Sequence, residues 1–357
     1  MIFRRIKYQY FILLLLKGML LAIPRYALEN GSSCILCHVN PSGGGQRNDY
    51  GIVYGMDDLP SKLPNQNSSY SGIVFSHIQV GGDGRIQSVF KTEGNVPEDL
   101  SVFPMQADIH LKTDIRKLTI GATLATLQSD LGLQIRINQN NGYLMVGMAK
   151  PSFGLKLDDH TAFTRGGNIR LVQGSHREGM PFVPTLENTE IVELGYYMGD
   201  TYFSLGYTNG FMMEATESIH GRFEYYRSIH EFNTMSGGSF LVEGDLTLIG
   251  IFGGISRGPF SWMGEVDMAE NLVIDRTIAS YSEIAWQVKK GFTVLGRIDF
   301  FDESVKYTED AIRRTTFGLN YVPLPFVDIK FQIRSTQLSG RDSLKGIELL
   351  SQLHIWF

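Results

Sequence analysis

The sequence predicts an all-β fold, namely an outer-membrane antiparallel β-barrel of roughly 14–16 strands over residues 70–357. The first observation is that many segments of this region alternate apolar and polar residues with a period of two, which is typical of amphipathic strands. The second is that turn-forming runs, at residues 81–84, 139–142 and 199–200, separate such segments and indicate successive hairpins. A soluble β-sandwich also alternates and is the main alternative.

The last segment of the chain favours the barrel over the sandwich. Its alternating apolar positions are Ile347, Leu349, Leu353, Ile355 and Phe357. An alternating strand that stops on an aromatic residue resembles the C-terminal signal by which bacterial outer-membrane barrels are recognised for insertion. An even strand number would place both ends of the barrel in the periplasm. Three polar connections, 158–188, 208–229 and 302–311, are expected to be extracellular loops or a loop folded inward.

The N-terminal residues predict export from the cytoplasm. Basic residues precede an apolar run over residues 11–23, which has the length found in signal peptides and is shorter than the ~20 apolar residues of a membrane-spanning helix. We expect a signal peptide over residues 1–27 that is cleaved near Ala27, although Arg25 is a poor residue at the position three before the cut. A retained N-terminal anchor is the alternative.

The two cysteines of the chain stand in the pentapeptide Cys34-Ile35-Leu36-Cys37-His38. This spacing is the attachment signature of a c-type haem, because two thiols can bond to the vinyl groups while the next imidazole reaches the iron. The alternatives are a thiol redox motif, a structural disulfide and half of a zinc site. The glycine-rich flank is not typical of a redox motif, and zinc would need further ligands at matching spacing. The motif therefore predicts one haem c, held by Cys34 and Cys37, with His38 as the proximal ligand.

Residues 28–69 are predicted to be a monohaem cytochrome c segment and its linker. They are too few to enclose a haem in a core of their own, so the haem must borrow walls from the barrel. We therefore expect a short N-terminal c-type haem segment that plugs the barrel lumen or lies at its periplasmic mouth. A triple glycine at 43–45 and the run 47–51 are typical of a closely packed turn beside the haem.

The sequence leaves the sixth ligand of the haem iron open. Met56, which is expected in a loop, and His160 are the candidates, because a Met or a second His takes that position in compact cytochromes c. Three further residues qualify only if they project into the lumen, and these are Met105, His77 and His110. His160 also follows two aspartates at 158–159. That trio can bind a cation such as ferrous iron or form a solvated loop, and we favour the loop.

An export signal, one haem motif and a barrel in this order resemble the fused monohaem cytochrome c–porin family of the outer membrane. The best-known members of that family accept electrons from extracellular ferrous iron. The resemblance implies an electron carrier, and at most an iron-oxidising oxidoreductase, whose partners are an extracellular electron donor or acceptor and the outer-membrane lipid. Because one haem cannot carry electrons across the membrane unaided, periplasmic electron-transfer cytochromes are further expected partners. The alternative is a passive porin in which the haem segment is a structural plug.

Composition and motifs exclude other classes of function. The net charge is −5, and the basic residues are scattered rather than clustered, so nucleic acid is not an expected partner. The sequence also lacks a Ser-His-Asp arrangement, a phosphate-cradling loop and a paired-carboxylate motif, so a hydrolase or a transferase is not supported.

Overall fold

A computed structural model describes residues 24–40, 43–63, 70–75, 77–91, 99–127, 130–155, 162–166, 179–180, 189–211, 216–272, 275–307, 309–339 and 345–357. Within these residues, sixteen antiparallel strands form a closed barrel, because each strand pairs with its neighbours in sequence and the last pairs with the first. A short additional strand pairs with the first barrel strand. The prediction of an all-β barrel of roughly 14–16 strands is therefore confirmed.

Among the described residues that precede the barrel, α1 spans Pro24–Glu29, a 3₁₀ turn Cys34–Leu36 and α2 Asp49–Asp57. None of the helices in the described ranges has the length and hydropathy needed to span a membrane. The strands are β1 Ile73–Phe75, β2 Ile78–Lys91, β3 Asp99–Ile115, β4 Leu118–Ala125, β5 Asp130–Gln139, β6 Gly142–Met148, β7 Glu190–Met198, β8 Thr201–Asn209, β9 Glu217–Ile229, β10 Phe232–Glu243, β11 Leu246–Arg257, β12 Phe260–Glu270, β13 Thr277–Lys289, β14 Phe292–Asp302, β15 Ile312–Leu324, β16 Val327–Leu338 and β17 Lys345–Trp356.

The period of two in the sequence becomes an apolar outer face and a largely polar inner face. In β7, Val192 and Leu194 point outward and are 45% and 58% exposed, whereas Glu193 between them is 0% exposed. Successive side chains of a strand point to opposite faces, so every second residue enters the lumen. The burial of the inward residues shows that this lumen is packed with protein along much of its length.

The two ends of the barrel differ in their connections. From β3 to β15, every odd-numbered strand joins the next through two residues, as at 116–117 and 230–231. The start of β2 and the end of β17 lie at this same end, which we call the short-turn end. The longer connections, such as 149–189 and 303–311, lie at the opposite end, which we call the long-loop end.

Three sequence expectations about local structure were wrong. Residues 81–84 lie inside β2 and form no turn. The backbone of Gly82 exchanges two hydrogen bonds with Phe357, at 3.1 and 3.0 Å, and a Cβ at Gly82 would come within 2.6 Å of the Phe357 ring. Glycine is therefore needed there for close strand approach rather than for a bend.

The other two corrections concern a strand and a helix. Residues 217–229 form β9 instead of a loop, with Ile219 outward and His220 buried inward. The expectation failed because the lumen-facing residues of β9 are charged or polar and look like loop residues in the sequence. Met56 lies in α2 rather than in a loop, because Asn48 caps that helix by accepting a hydrogen bond from the Gly51 N–H at 2.9 Å.

Candidate functional site

The Cys-x-x-Cys-His motif forms a tight 3₁₀ turn inside the barrel. Cys37 N donates to Cys34 O at 3.2 Å, and His38 N donates to the same carbonyl at 3.1 Å. Cys34, Cys37 and His38 are 6%, 2% and 4% exposed, and all three line one internal cavity. The turn thus brings the three groups predicted for haem attachment to a common space.

Asn48 holds this turn against α2. Its side-chain Nδ2 donates to Ile35 O at 3.1 Å and to Leu36 O at 2.9 Å, while its backbone N–H donates to Cys37 O at 2.9 Å. Its Oδ1 meanwhile caps α2. One side chain therefore fixes both the haem motif and the helix that follows. Of the run 47–51 that the sequence indicated as a packed turn, residues 49–51 instead form the first turn of α2.

Glycines allow the backbone to approach the motif closely. A Cβ at Gly51 would lie 2.3 Å from Cys37 O, so that α2 can touch the motif only with a glycine at this position. Gly43 has φ +79°, and a Cβ there would lie 3.3 Å from Cys34 Cβ. Gly44 and Gly45 also have positive φ, at +74° and +58°, so the predicted triple glycine makes a left-handed turn around Cys34.

The cavity that contains the motif has about 1320 Å³ of space outside the atoms, its opening to solvent included. Its far wall comes from the inner faces of β12 to β17. The apolar part of the lining includes Met263, Leu295, Leu319, Val322 and Trp356. The charged part includes four cations and three carboxylates, namely Arg25, Arg47, Arg297, Lys330, Asp83, Glu283 and Asp328.

These groups fit a covalently bound haem. The two thiols and the imidazole are the attachment set, the apolar wall suits the macrocycle, and cations suit its two propionate carboxylates. Arg47 lies 3.5 Å from Asp83, and its guanidinium stacks at 3.8 Å over the ring of Trp356. Arg25 Nη1 lies 3.4 Å from Glu283 Oε1. The cations are therefore held in place by the barrel wall.

The two thiols form no disulfide. Burial raises the pKa of the Cys37 thiol to about 12, with Cys34 adding to the shift and Arg47 opposing it. A thiol with a raised pKa is protonated near neutral pH and is a poor nucleophile for thiol–disulfide exchange. In the described part of the chain, no group of three or more His, Cys, Asp or Glu side chains could hold a metal ion, so a zinc site also lacks support there.

Of the candidates for the sixth ligand, those within the described residues do not line the cavity that contains the motif. Met56 is not among the cavity-lining residues of the described chain. On β3, Met105 Sδ accepts a hydrogen bond from Gln352 at 3.3 Å, and His110 Nδ1 lies 3.0 Å from Thr123 Oγ1. His77 is exposed. His160 and the aspartates at 158–159 lie outside the described residues.

Sequence reasoning missed two potential iron ligands that line the cavity, Met263 and His354. The alternation of β12 and β17 signals only that these side chains point inward. Which inward residues meet the haem motif depends on where the N-terminal segment lies in the lumen, and no local pattern encodes that.

The long-loop half of the lumen is closed by an inward-folded part of the connection between β6 and β7. Arg165 donates to Glu265 at 2.6 Å and to Asp267 at 3.1 Å, both on the inner face of β12. Gly154 N donates to Ser239 Oγ at 2.9 Å. An apolar cluster completes this closure, and it comprises Phe153, Phe163, Met180, Phe211, Leu241, Leu246, Leu248, Ala269, Ala279, Phe301, Ile312 and Leu338.

The fold resembles known porins. The outer-membrane protein OmpT of Vibrio cholerae matches with a TM-score of 0.54 at 10% identity, over 78% of this chain and 97% of that chain. An anion-selective porin from Comamonas acidovorans matches with a TM-score of 0.55 at 10% identity, over 78% of this chain and 99% of that chain. No protein-family model matches the chain, and no curated protein matches it. At such identities the likeness concerns the fold alone.

Proposed function

We propose that this chain is an outer-membrane electron-transfer protein that carries one haem c inside its barrel. The observation that carries the proposal is that Cys34, Cys37 and His38 line an internal cavity with apolar and cationic walls. In this assignment the two cysteines bind the haem covalently and His38 is the proximal ligand. The fused monohaem cytochrome c–porins are the family whose architecture the chain resembles.

The haem, when bound, supplies reversible one-electron chemistry between its ferric and ferrous states. The chain's own residues set the conditions for that chemistry. Trp356, Val322 and Leu295 would keep water from the macrocycle, and exclusion of water raises the reduction potential relative to a solvated haem. Arg297 and Lys330 line the same cavity and would supply positive charge for the propionates.

The orientation in the membrane follows from the connections of the barrel. Outer-membrane barrels have short periplasmic turns and longer extracellular loops, so we assign the short-turn end to the periplasm. The cavity reaches that end at Leu59 and Val322. Periplasmic cytochromes are therefore the proposed direct partners of the haem. An extracellular donor such as ferrous iron completes the proposed route.

Export is part of the proposal, and α1 bears on where the signal peptide is cleaved. A cut near Ala27 would remove Arg25, whose guanidinium lies 3.4 Å from Glu283, and Tyr26, which packs beside Tyr54. Their burial in the barrel supports a cut before Pro24 instead. Sequencing the N-terminus of the mature protein distinguishes the two positions.

A passive porin is the second candidate, and the likeness to an anion-selective porin favours it. In that case the N-terminal segment is a structural plug without haem. The described filling of both halves of the lumen opposes a wide aqueous pore, because a conducting porin keeps a water-filled channel.

The test is absorbance of the protein purified from outer membranes of cells that contain the c-type haem maturation machinery. We expect the α-band of covalent haem in the reduced-minus-oxidised spectrum, and a haem-stained band after denaturing electrophoresis. The double variant Cys34→Ala with Cys37→Ala is the control and should lose both signals, because either thiol alone can hold the haem through one thioether bond. Absence of both signals in the unaltered protein, together with ion conductance in liposomes, would establish the porin instead.

A further inference from the structure

Met263 lies on the inner face of β12 and lines the same cavity as His38. It is 1% exposed and packs with Leu28 of α1 and Tyr281 of β13. A Cβ at Gly254 on the neighbouring strand would lie 3.3 Å from Met263 Cγ and 2.8 Å from Leu28 Cδ2, so both side chains converge over that glycine. The thioether is thus held in place by packing on rigid strands.

The segment that follows His38 and the side chain of Met263 lie on different sides of the lumen. The segment from His38 to Arg47 is fastened to β2, β3 and β5, since Arg47 pairs with Asp83, Gly45 faces His110, and Arg136 donates to Val39 O. Around the ring of sixteen strands, β12 is six strands from β2 by way of β17, and seven from β5 by way of β6. Half of the ring is eight strands, so Met263 is placed nearly opposite the segment that carries the proximal histidine.

We infer that Met263 is the sixth ligand of the haem iron, and this rests on the proposed function. If Cys34 and Cys37 held a haem with His38 as one ligand of its iron, the wall opposite the segment of His38 would be placed to supply the second ligand. A thioether is an established partner of the proximal histidine in cytochromes c, where it raises the reduction potential. Met263 is also shielded from bulk solvent, and exclusion of water from a haem site likewise raises its reduction potential.

The other side chains of the wall with ligating atoms are engaged elsewhere. His354 Nε2 lies 2.5 Å from Asp83 Oδ1, and Asp83 also pairs with Arg47, so His354 belongs to the side that carries the motif. The Lys330 ammonium lies 3.9 Å from Asp328 and would have to lose a proton before it could bind iron. The ring of Tyr281 lies under the guanidinium of Arg297 at 5.2 Å.

The test compares Met263→Leu with Met235→Leu in the full-length, haem-loaded protein. Leucine conserves the volume of methionine and removes the sulfur, so the barrel should fold in both variants. Met235 belongs to the same buried cluster but is not a lining residue of the cavity, which makes it the matched control. Met263→His offers a replacement ligand at the same position.

We expect Met263→Leu to lose the far-red charge-transfer absorption of thioether-ligated ferric haem, to bind carbon monoxide readily in the ferrous state, and to have a lower midpoint potential. Met235→Leu should match the unaltered protein, and Met263→His should restore a low-spin haem with a lowered potential. Retention of the charge-transfer band and the potential in Met263→Leu would overturn the assignment, as would their loss in His354→Asn alone. Absence of covalent haem from the unaltered protein refutes the proposed function itself, and the ligand assignment with it.

Discussion

Replacing Asn48 with Ala should loosen the haem motif without unfolding the barrel. The substitution removes the cap of α2, worth about 1 kcal/mol, and the donors to the half-buried carbonyls of Ile35 and Leu36, worth about 1 kcal/mol each. The free energy of local opening should therefore fall by about 3 kcal/mol, which corresponds to roughly 150-fold more frequent opening. Asn48→Asp keeps the capping acceptor and loses both donors, so it should cost about 2 kcal/mol, or roughly 30-fold.

Amide hydrogen exchange on the full-length protein measures this directly. The N–H groups of His38 and Ile52 are suitable reporters, because they donate to the backbone carbonyls of Cys34 and Asn48 and do not depend on the Asn48 side chain itself. Their exchange should accelerate in the order Asn48→Ala, Asn48→Asp, unaltered protein, while the amides of β11 exchange at an unchanged rate. If the amide hydrogens of His38 and Ile52 in Asn48→Ala exchange at rates within about twofold of those in the unaltered protein, the role assigned to Asn48 in holding the motif against α2 is wrong.

Three further predictions use other parts of the lumen. Replacing both Cys34 and Cys37 with Ala should abolish covalent haem staining while the barrel keeps its heat-modifiable gel mobility, and a collapse of barrel assembly would instead make haem a folding element. Gly51→Ala forces a Cβ to 2.3 Å from a backbone carbonyl and should accelerate hydrogen exchange of the motif amides more than about tenfold. A Cβ at Gly296 would meet nothing within 4 Å, so Gly296→Ala should leave the exchange rates of the motif amides unchanged. Arg165→Ala leaves two buried carboxylates without their cation, so it should lower the free energy of unfolding by about 3–5 kcal/mol and raise conductance in planar bilayers. Arg257 belongs to an exposed ion pair, so Arg257→Ala should lower that free energy by less than about 1 kcal/mol and leave conductance unchanged.

The barrel was predictable because its physical cause is local and repeats. Each strand must put apolar side chains on one face and polar side chains on the other, and residues such as Leu194 and Glu193 carry this requirement in adjacent positions. The two-residue turns at 140–141 and 199–200 were equally visible. The pattern misled only where glycines served strand contact, at 81–84, and where the inner face of β9 was highly charged.

The surroundings of the haem motif were not predictable, because they depend on contacts between residues far apart in sequence. Asn48 looks like an ordinary helix cap in the sequence, and nothing local shows that its amide also binds the carbonyls of residues 35 and 36. Met263 follows the motif by more than two hundred residues, and nothing local shows that it lines the same cavity as the motif or that α1 packs against its strand. The triple glycine was recognisable as a turn, but its contact with Cys34 was not.

Protein segments occupy both halves of the lumen, and this constrains how electrons could reach the proposed haem at the motif. The cavity lies toward the short-turn end, while the long-loop half is closed by the apolar cluster and by Arg165 between Glu265 and Asp267. An ion that crossed this packed region would have to give up much of its water. An extracellular donor must therefore deliver its electron at the long-loop surface or through protein, and one haem is too small to cover the ~30 Å hydrocarbon core by itself. The proposed route thus requires a second redox partner or an opening of the long-loop closure, and the conductance of Arg165→Ala is the measurement that tells how tightly that closure is held.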